Sequence, residues 1–494
     1  MVAVRAFLSV LIALLTVALL AGPAVAEIGL DAAALPPGMS SNEPTETFDG
    51  ASLGLMWTLP FLGLLLTIAL APSIAPRFWR LHYGKAAFFW SALAVVPIAA
   101  LYDVPAAAEA LGRSTLADYA NFIAMLVAMY VVAGGILVAG DLKGTPLTNL
   151  AIMTIGAAMA SVIGTIAAAI ILIRPLIRAN MNRLRNAHVV VFFIIIVANV
   201  GGALSPHGSP PLFAGYLRGV EFSWPAVALW KPTLVMLGTT LLLFVIVDVW
   251  HYRNDRRVML VGEPPRPPEP IHLRGRINFL LIAGAIAVIV ASTLWRPGVS
   301  HNLWGVQFAI QDIVRNGALL AIAALSLILT PDEHREANGF TWGPLREAAI
   351  LFAAIFVCAM PVMAMLQAGS NGALAFIPQL MADAPVPKEG AYFALTGALS
   401  GFINNVPAWL VSFDMAGGEA DILMGLMHRT LAAISMGAVY LGALTTISNA
   451  PNLMIHAFAT ERGIQMPGFF GYLIRAALIM APGLAVVVWL YLWT

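Results

Sequence analysis

The sequence predicts an all-α polytopic membrane protein. It reads as two inverted repeats, each of five transmembrane helices plus one re-entrant hairpin, with one broken helix per repeat. Three observations predict this. First, of 494 residues, 60% are hydrophobic and 10% charged, against about 25% charged in a typical soluble domain. Second, two long apolar runs are cut by clusters of helix breakers, Gly201-Gly202-Ala203-Leu204-Ser205-Pro206-His207-Gly208-Ser209-Pro210-Pro211-Leu212 and Gly442-Ala443-Leu444-Thr445-Thr446-Ile447-Ser448-Asn449-Ala450-Pro451-Asn452-Leu453. Third, the clusters align at one offset of 240 positions, Gly202 on Gly442.

The first cluster follows the apolar run Val189–Val200 and precedes another, Leu234–Val247. Gly201, Gly202, Pro206, Pro210 and Pro211 cannot sit in an unbroken helix, because proline lacks the N–H and its ring clashes with the preceding turn. Pro451 does the same in the second cluster, and Pro407 beside the second hairpin tip. Broken backbone at membrane depth survives only where protein buries it or where it lines a wet cavity. Discontinuous helices of this kind form the binding sites of many secondary transporters. The same offset sets His188 on His428, Glu221 on Glu461, and Ser161-Val162-Ile163-Gly164-Thr165 on Gly401-Phe402-Ile403-Asn404-Asn405. Several matches at one offset, all at helix-breaking places, indicate an internal repeat.

In chain order, residues 1–26 carry Arg5, an apolar run from Ala6 to Leu20, and Ala24-Val25-Ala26. That is the layout of a signal peptide, or of an uncleaved first helix; both put Glu27 outside the cytoplasm. Residues 27–54 read as an exported, poorly ordered segment. Windows of about twenty apolar residues give spans near 55–72, 86–101, 119–140, 188–217 (broken), 232–249, 277–294, 315–330, 347–368, 428–460 (broken) and 469–492. The stretches 146–173 and 391–412, interrupted near their middles, read as the two hairpins. The organisation is thus repeat 1 over 55–250, a linker over 251–276 containing Pro264-Pro265-Arg266-Pro267-Pro268, and an inverted repeat 2 over 277–494.

Charge tests this topology. The inside loops 73–85, 174–187 and 250–276 carry Arg77, Arg80 and Lys85, then Arg174, Arg178, Arg183 and Arg185, then six further arginines. The outside loops 102–118 and 413–427 are mostly acidic. Lys and Arg accumulate on the cytoplasmic side. The loop 331–346 is inside by count yet rich in Asp and Glu, which weigh little in that rule.

Four elements make the candidate site: the hairpin tips with Ser161, Gly164 and Thr165 and with Asn404 and Asn405, the first break with Ser205, His207 and Ser209, and the second with Thr445, Thr446, Ser448, Asn449 and Asn452. Unwound carbonyls and hydroxyl or amide oxygens suit Na⁺, and freed N–H groups at half-helix N-termini attract anions. Small residues also allow close helix packing, and each Ser or Thr has that reading too. Amides at membrane depth are costly unless paired. His207 is either a proton or substrate contact or a satisfied structural residue. Arg174 reads either as a surface anchor or as a group that draws anions toward the site. His188 and His428 sit at helix starts and read as interface anchors.

The other classes fit poorly. A lone Cys358 in an apolar run excludes an intrachain disulfide. Nine histidines show no metal-ligand spacing, and no basic stripe points to nucleic acid. No nucleophile–base set or acid pair supports an enzyme. No cofactor is expected beyond Na⁺ or H⁺ as coupling ion.

The motifs Gly201–Pro211, Phe402-Ile403-Asn404-Asn405-Val406-Pro407 and Ile447-Ser448-Asn449-Ala450-Pro451-Asn452 resemble those of the ion transporter superfamily. That group includes sodium-coupled di- and tricarboxylate symporters, NhaD-type sodium/proton antiporters and arsenite exporters. Within it the chain resembles the bacterial putative citrate transport proteins over about residues 55–494. The resemblance implies a multi-pass protein of the bacterial inner membrane, a homodimer whose hairpin-bearing domain moves, and a small carboxylate anion as substrate. Antiporter-type relatives often carry Gly-Asp where this chain has Gly208-Ser209, and Asp-Asn where it has Asn404-Asn405. A cation/proton antiporter benefits from a membrane carboxylate, and none lies in the four elements. The reading is therefore cation-coupled transport of citrate or a dicarboxylate, with sodium:proton antiport as the alternative. For the topology, cysteines placed in 251–276 are expected to react with an impermeant maleimide from the cytoplasmic side; labelling from the periplasmic side would refute it.

Overall fold

The computed structural model describes residues 50–101, 112, 119–140, 142–258, 270–295, 297–303, 306–377 and 388–492. The expected signal peptide or first helix, most of segment 27–54, most of loop 102–118 and the proline run 264–268 lie outside the described residues. The rest is mostly helical. In order come α1 (Leu59–Ile74), α2 (Pro76–Leu101), α3 (Ala120–Gly134), α4 (Pro146–Ile163), α5 (Thr165–Asn180), α6 (Ala187–Ile196), α7 (Pro210–Leu217), α8 (Trp224–Val258) and α9 (Ile277–Leu294). They are followed by α10 (Ile310–Leu329), α11 (Asp332–Ala337), α12 (Gly343–Gln367), α13 (Lys388–Phe402), α14 (Asn405–Met415), α15 (Ala420–Met424), α16 (His428–Tyr440), α17 (Ala450–Glu461) and α18 (Phe469–Val487).

Among the described residues, seven helices are long and apolar enough to cross a membrane. Six coincide with expected spans: α1, α2, α8, α10, α12 and α18. The seventh, α4, is the first arm of the expected hairpin. The expected spans at 119–140, 188–217 and 277–294 appear as shorter apolar helices over Ala120–Gly134, Ala187–Gly202 and Ile277–Ser292.

Burial follows composition. In α6 every residue from Val189 to Ile196 is buried, as a helix that is apolar all round must be. In α16, Leu431, Ala433, Ile434 and Val439 are buried likewise. By contrast α1, α2 and α8 expose Leu66, Phe88, Val227 and Trp250, the apolar surface expected toward lipid. The broken helices thus occupy the centre. α13 packs on α16, α4 on α5, α3 on α10, and α8 on α18.

Three local expectations are corrected. Residues 73–85 are not a loop: the chain pauses at Ala75 and resumes as α2 from Pro76. Arg77, Arg80 and Lys85 are good helix formers, and Pro76 starts the first turn, where its missing N–H costs nothing. The described protein also contains strand. Residues Leu137–Ala139 (β1) pair antiparallel with His272–Arg274 (β2), and Ser300–Leu303 (β3) with Val306–Ala309 (β4). These are short pairings at helix ends, where freed backbone groups need partners. Third, the acidic loop 331–346 contains α11, which caps two helices. Arg335 donates to the carbonyls of Val131 at 2.7 Å and Ser326 at 2.9 Å, and Asn338 donates to Gly134 and Ile136. Burial pushes the Arg335 guanidinium down to about 10, against the pull of Asp332.

The base of the α4–α5 hairpin is held by ions. Asp248 of α8, wholly buried, contacts Arg183 at 2.6 Å and His188 at 2.8 Å, and accepts from the Asn149 amide at 3.0 Å. Asn149 and Asn180 exchange amide hydrogen bonds, which ties α4 to α5. Removing one partner of a buried pair strands the other. Asp248→Asn is expected to destabilise the protein by about 3–5 kcal/mol in denaturant titration of the solubilised protein. A paired Arg183→Met, Asp248→Leu variant should recover most of that loss.

Candidate functional site

The first tip forms where α4 ends at Ile163 and α5 begins at Thr165. Gly164 joins them at φ +88°, ψ 148°, a backbone that L side chains adopt only with strain. A Cβ there would stand 3.0 Å from the His207 carbonyl, so tip and break are in close approach. Ser161 Oγ donates to the Gly201 carbonyl at 2.5 Å, and Ser205 Oγ donates to the Ser161 carbonyl at 2.6 Å. His207 Nε2 lies 2.7 Å from the Val162 carbonyl. Thr165 packs so tightly on Gly202 that a Cβ at that glycine would fall 2.5 Å from its methyl.

The first break opens earlier than the glycines. Asn199 Nδ2 donates to the Ile194 carbonyl at 2.8 Å, the acceptor that the Ala198 N–H would use in an α-helix. Ala198 reaches back instead to Phe193 at 3.4 Å. A side-chain amide has replaced a rung of the ladder. Two short turns follow, Val200–Gly202 and Pro206–Gly208. Ser205 caps the second, accepting from the Gly208 N–H at 3.0 Å. α7 then starts at Pro210.

The second tip turns through Ile403 and Asn404. Asn404 caps α14, its Oδ1 accepting from the Val406 N–H at 3.1 Å. The Asn405 N–H donates to the Ser448 carbonyl at 3.3 Å. Thr445 Oγ1 donates to the Gly401 carbonyl at 2.5 Å, and Ser448 Oγ donates to the Gly442 carbonyl. Asn449 caps α17, accepting from the Asn452 N–H at 3.0 Å. Asn452 Nδ2 serves the carbonyls of Thr445 at 2.9 Å and Gly442 at 3.0 Å.

One residue joins the two breaks. Asn199 Nδ2 donates to Asn452 Oδ1 at 2.8 Å, and Asn449 Nδ2 donates to Asn199 Oδ1 at 2.8 Å. The expectation did not include Asn199; its only signal was an amide inside the apolar run Val189–Val200. Packing crosses over in the same sense: α5 lies on α17, and α14 on α7.

Ser161, Gly164, Thr165, Ser205 and His207 therefore gather around the first tip. Asn404, Asn405, Thr445, Ser448, Asn449 and Asn452 gather around the second. Ser209 and Thr446 are buried beside these groups, Ser209 immediately before α7. Asn404 is 2% exposed, yet its Nδ2 has no hydrogen-bond partner. Four helices begin here, α5, α7, α14 and α17; the first N–H groups of each have no partner within the helix, Asn404 and Asn449 cap one each at α14 and α17, and each start carries about half a positive charge. The arrangement offers N–H donors to an anion and hydroxyl, amide and carbonyl oxygens to a cation. Among the described residues, no cluster of His, Cys, Asp or Glu could hold a metal ion.

Gly164→Ala should be poorly tolerated, because it adds left-handed backbone strain of about 1–2 kcal/mol to the contact with His207. Gly401→Ala meets its nearest atom only at 3.4 Å and should be mild. Thermal midpoints of the two purified variants decide this; equal loss would refute the reading of the first tip.

No curated protein matches the chain. Residues 50–492 match the family described as "Putative citrate transport". That match spans nearly all of the helical protein built above, with both tips and both breaks inside it. The chain is a multi-pass membrane protein and a transporter rather than an enzyme, and it belongs to the putative citrate transport family.

Proposed function

We propose that the protein is a secondary active transporter that moves a small carboxylate anion, such as citrate or a dicarboxylate, with Na⁺ or H⁺. The observation that carries this is the amide chain Asn449–Asn199–Asn452 between two unwound stretches at membrane depth. Polar backbone is maintained there at a cost that packing alone does not require. Neutral donors surround it and Asn404 keeps a free N–H, which suits an anion whose charge a co-bound cation offsets. The cation would lie among carbonyls beside Gly164 and Asn404, and the carboxylate on the helix starts. Each ion should then raise the other's affinity reciprocally.

The two halves read as inverted copies, and the recurrence of one hydrogen bond supports this. Ser205 donates to the Ser161 carbonyl and Thr445 to the Gly401 carbonyl, both pairs at the offset of 240 seen in the sequence. α5 and α14 start at that same offset, Thr165 and Asn405, and so do α7 and α17, Pro210 and Ala450.

One observation favours the alternative of sodium:proton antiport. Asp248 is a buried membrane carboxylate, although it sits at the hairpin base in contact with Arg183 rather than at a tip.

Uptake of labelled citrate, succinate and ²²Na⁺ into proteoliposomes under imposed Na⁺ or pH gradients tests the proposal. Asn404→Ala and Asn449→Ala are each expected to weaken anion uptake about tenfold, the worth of one well-placed hydrogen bond. Both should flatten its cation dependence while membrane expression holds. Uptake indifferent to Na⁺ and pH would end the coupling. Na⁺/H⁺ exchange without any anion would favour the alternative.

A further inference from the structure

Two histidine rings stack at the base of the first hairpin. His188 lies in the first turn of α6 and His251 on α8, their centroids 4.3 Å apart and their planes 21° from parallel. His188 Nε2 stands 2.8 Å from the Asp248 carboxylate. That carboxylate also meets Arg183 at 2.6 Å and accepts from Asn149 of α4 at 3.0 Å. Arg183 in turn donates to Asn180 of α5 at 3.1 Å, stands 3.8 Å from Asp255, and lies over the Tyr252 ring at 5.6 Å. Through His188 the stack joins the group that ties both hairpin arms and the start of α6 to α8.

The stack has room for one proton and resists a second. An imidazolium donates at both nitrogens, yet His251 Nδ1 is buried without a hydrogen-bond partner. A proton there would be a buried donor with no acceptor, which is costly. The charged groups that reach His251 are Arg183, Arg185 and, when protonated, His188, against Asp255, and Asp255 already faces Arg183. Asp248 can receive the charge of a protonated His188; among the described residues, His251 has no ion-pair partner. Protonating both rings would set two unit charges 4.3 Å apart. Even under full screening by water, that repulsion disfavours the doubly charged stack about fivefold. Both rings are only half-buried, so water and its protons reach them. They sit beside segments 174–187 and 250–276, whose arginines the positive-inside rule sets in the cytoplasm.

We propose that the His188–His251 stack is a cytoplasmic acid sensor: it holds one proton, and a second drives the His251 ring out toward water and loosens the base of the α4–α5 hairpin. The sign follows from the neutral His251 ring. Its contribution is present above the ordinary histidine range, about 6.5, and is lost as pH falls below it. From Asn149 to Ser161, α4 runs about 18 Å, so a loosened base displaces the tip that the candidate site needs. The sensor is independent of the cargo. Its effect on transport rests on the proposed carboxylate uptake, and the two are measured separately.

Amide hydrogen exchange of the full-length protein in nanodiscs reads the sensor, at about pH 8 and about pH 5, either side of the histidine range. Rates are corrected for the intrinsic effect of pH. Wild-type amides in 144–150 and 180–188 should then exchange about fivefold faster in acid or more. His251→Phe keeps a ring that can stack but cannot charge, and should lose this acid effect. His251→Arg carries its charge at both pH values and should exchange fast at both. Wild-type exchange indifferent to pH would overturn the sensor. So would an acid effect that survives in His251→Phe, or slow exchange in His251→Arg at the higher pH. The wild-type and His251→Arg results decide it even if His251→Phe does not fold. In proteoliposomes, the ratio of labelled citrate uptake in acid to that at the higher pH should be about fivefold larger in His251→Phe than in wild type. Equal ratios would overturn the link from sensor to site. Should wild-type protein take up no citrate, the transport reading fails by itself, and exchange still decides the sensor.

Discussion

A backbone N–H or C=O that leaves a helix inside hydrocarbon finds no water to replace its lost partner. The centre of this protein is arranged around that constraint. Asn199 gives its amide to the Ile194 carbonyl and so opens α6. Asn452 gives its amide to the Thr445 and Gly442 carbonyls and so holds the second break open. Ser205 and Thr445 each close a tip carbonyl. These side chains are short and carry little rotamer freedom, so little entropy is lost when they are fixed. They hold an irregular backbone with the definition of a regular one.

The same constraint shapes the periphery by different means. α3 and α10 end where Arg335 and Asn338 can reach their last carbonyls. Near the base of the first hairpin, Asp248 meets Arg183 in a buried ion pair and lies within hydrogen-bond distance of His188, with the His188 and His251 rings stacked at 4.3 Å. Charge appears at helix ends and hairpin base, whereas neutral amides and hydroxyls appear at the tips. This division is physically sensible. Fixed ion pairs lock geometry, while neutral dipoles would leave an ion bound at the tips, as proposed, the dominant charge there.

The sequence was most informative where residue type dictates backbone. Pro206, Pro210 and Pro451 announce breaks because proline cannot continue a helix, Gly164 because glycine takes a positive φ without strain, and Gly202 with Gly442 and Pro211 with Pro451 share one offset in the sequence. Partners of side chains were harder to see. Asn199 is one polar residue in a long apolar run, and a hydropathy window averages it away. Asp248 is hidden in the same manner inside the expected span 232–249. The start of α2 was obscured for the opposite reason: charges there suggested a loop, yet Arg and Lys tolerate helix well. The β1–β2 pairing joins residues 137–139 to 272–274, and no local pattern reveals a partner so distant in sequence. The burial of Arg174, rather than its presence, distinguishes it, and burial is a tertiary property.

The hydrogen bond between Asn199 and Asn452 spans 253 residues of chain. At about 5–20 residues per second of synthesis, a ribosome needs about 13–50 s to make the second amide after the first. During that interval the first break lies in the membrane with Asn199 lacking its eventual partners. The nascent half-protein must borrow a substitute, from water drawn in beside the tip, from lipid headgroups, or from the insertion machinery. Its biogenesis therefore has a vulnerable period set by translation speed, and synonymous changes that slow elongation between these asparagines would lengthen it without altering the finished protein.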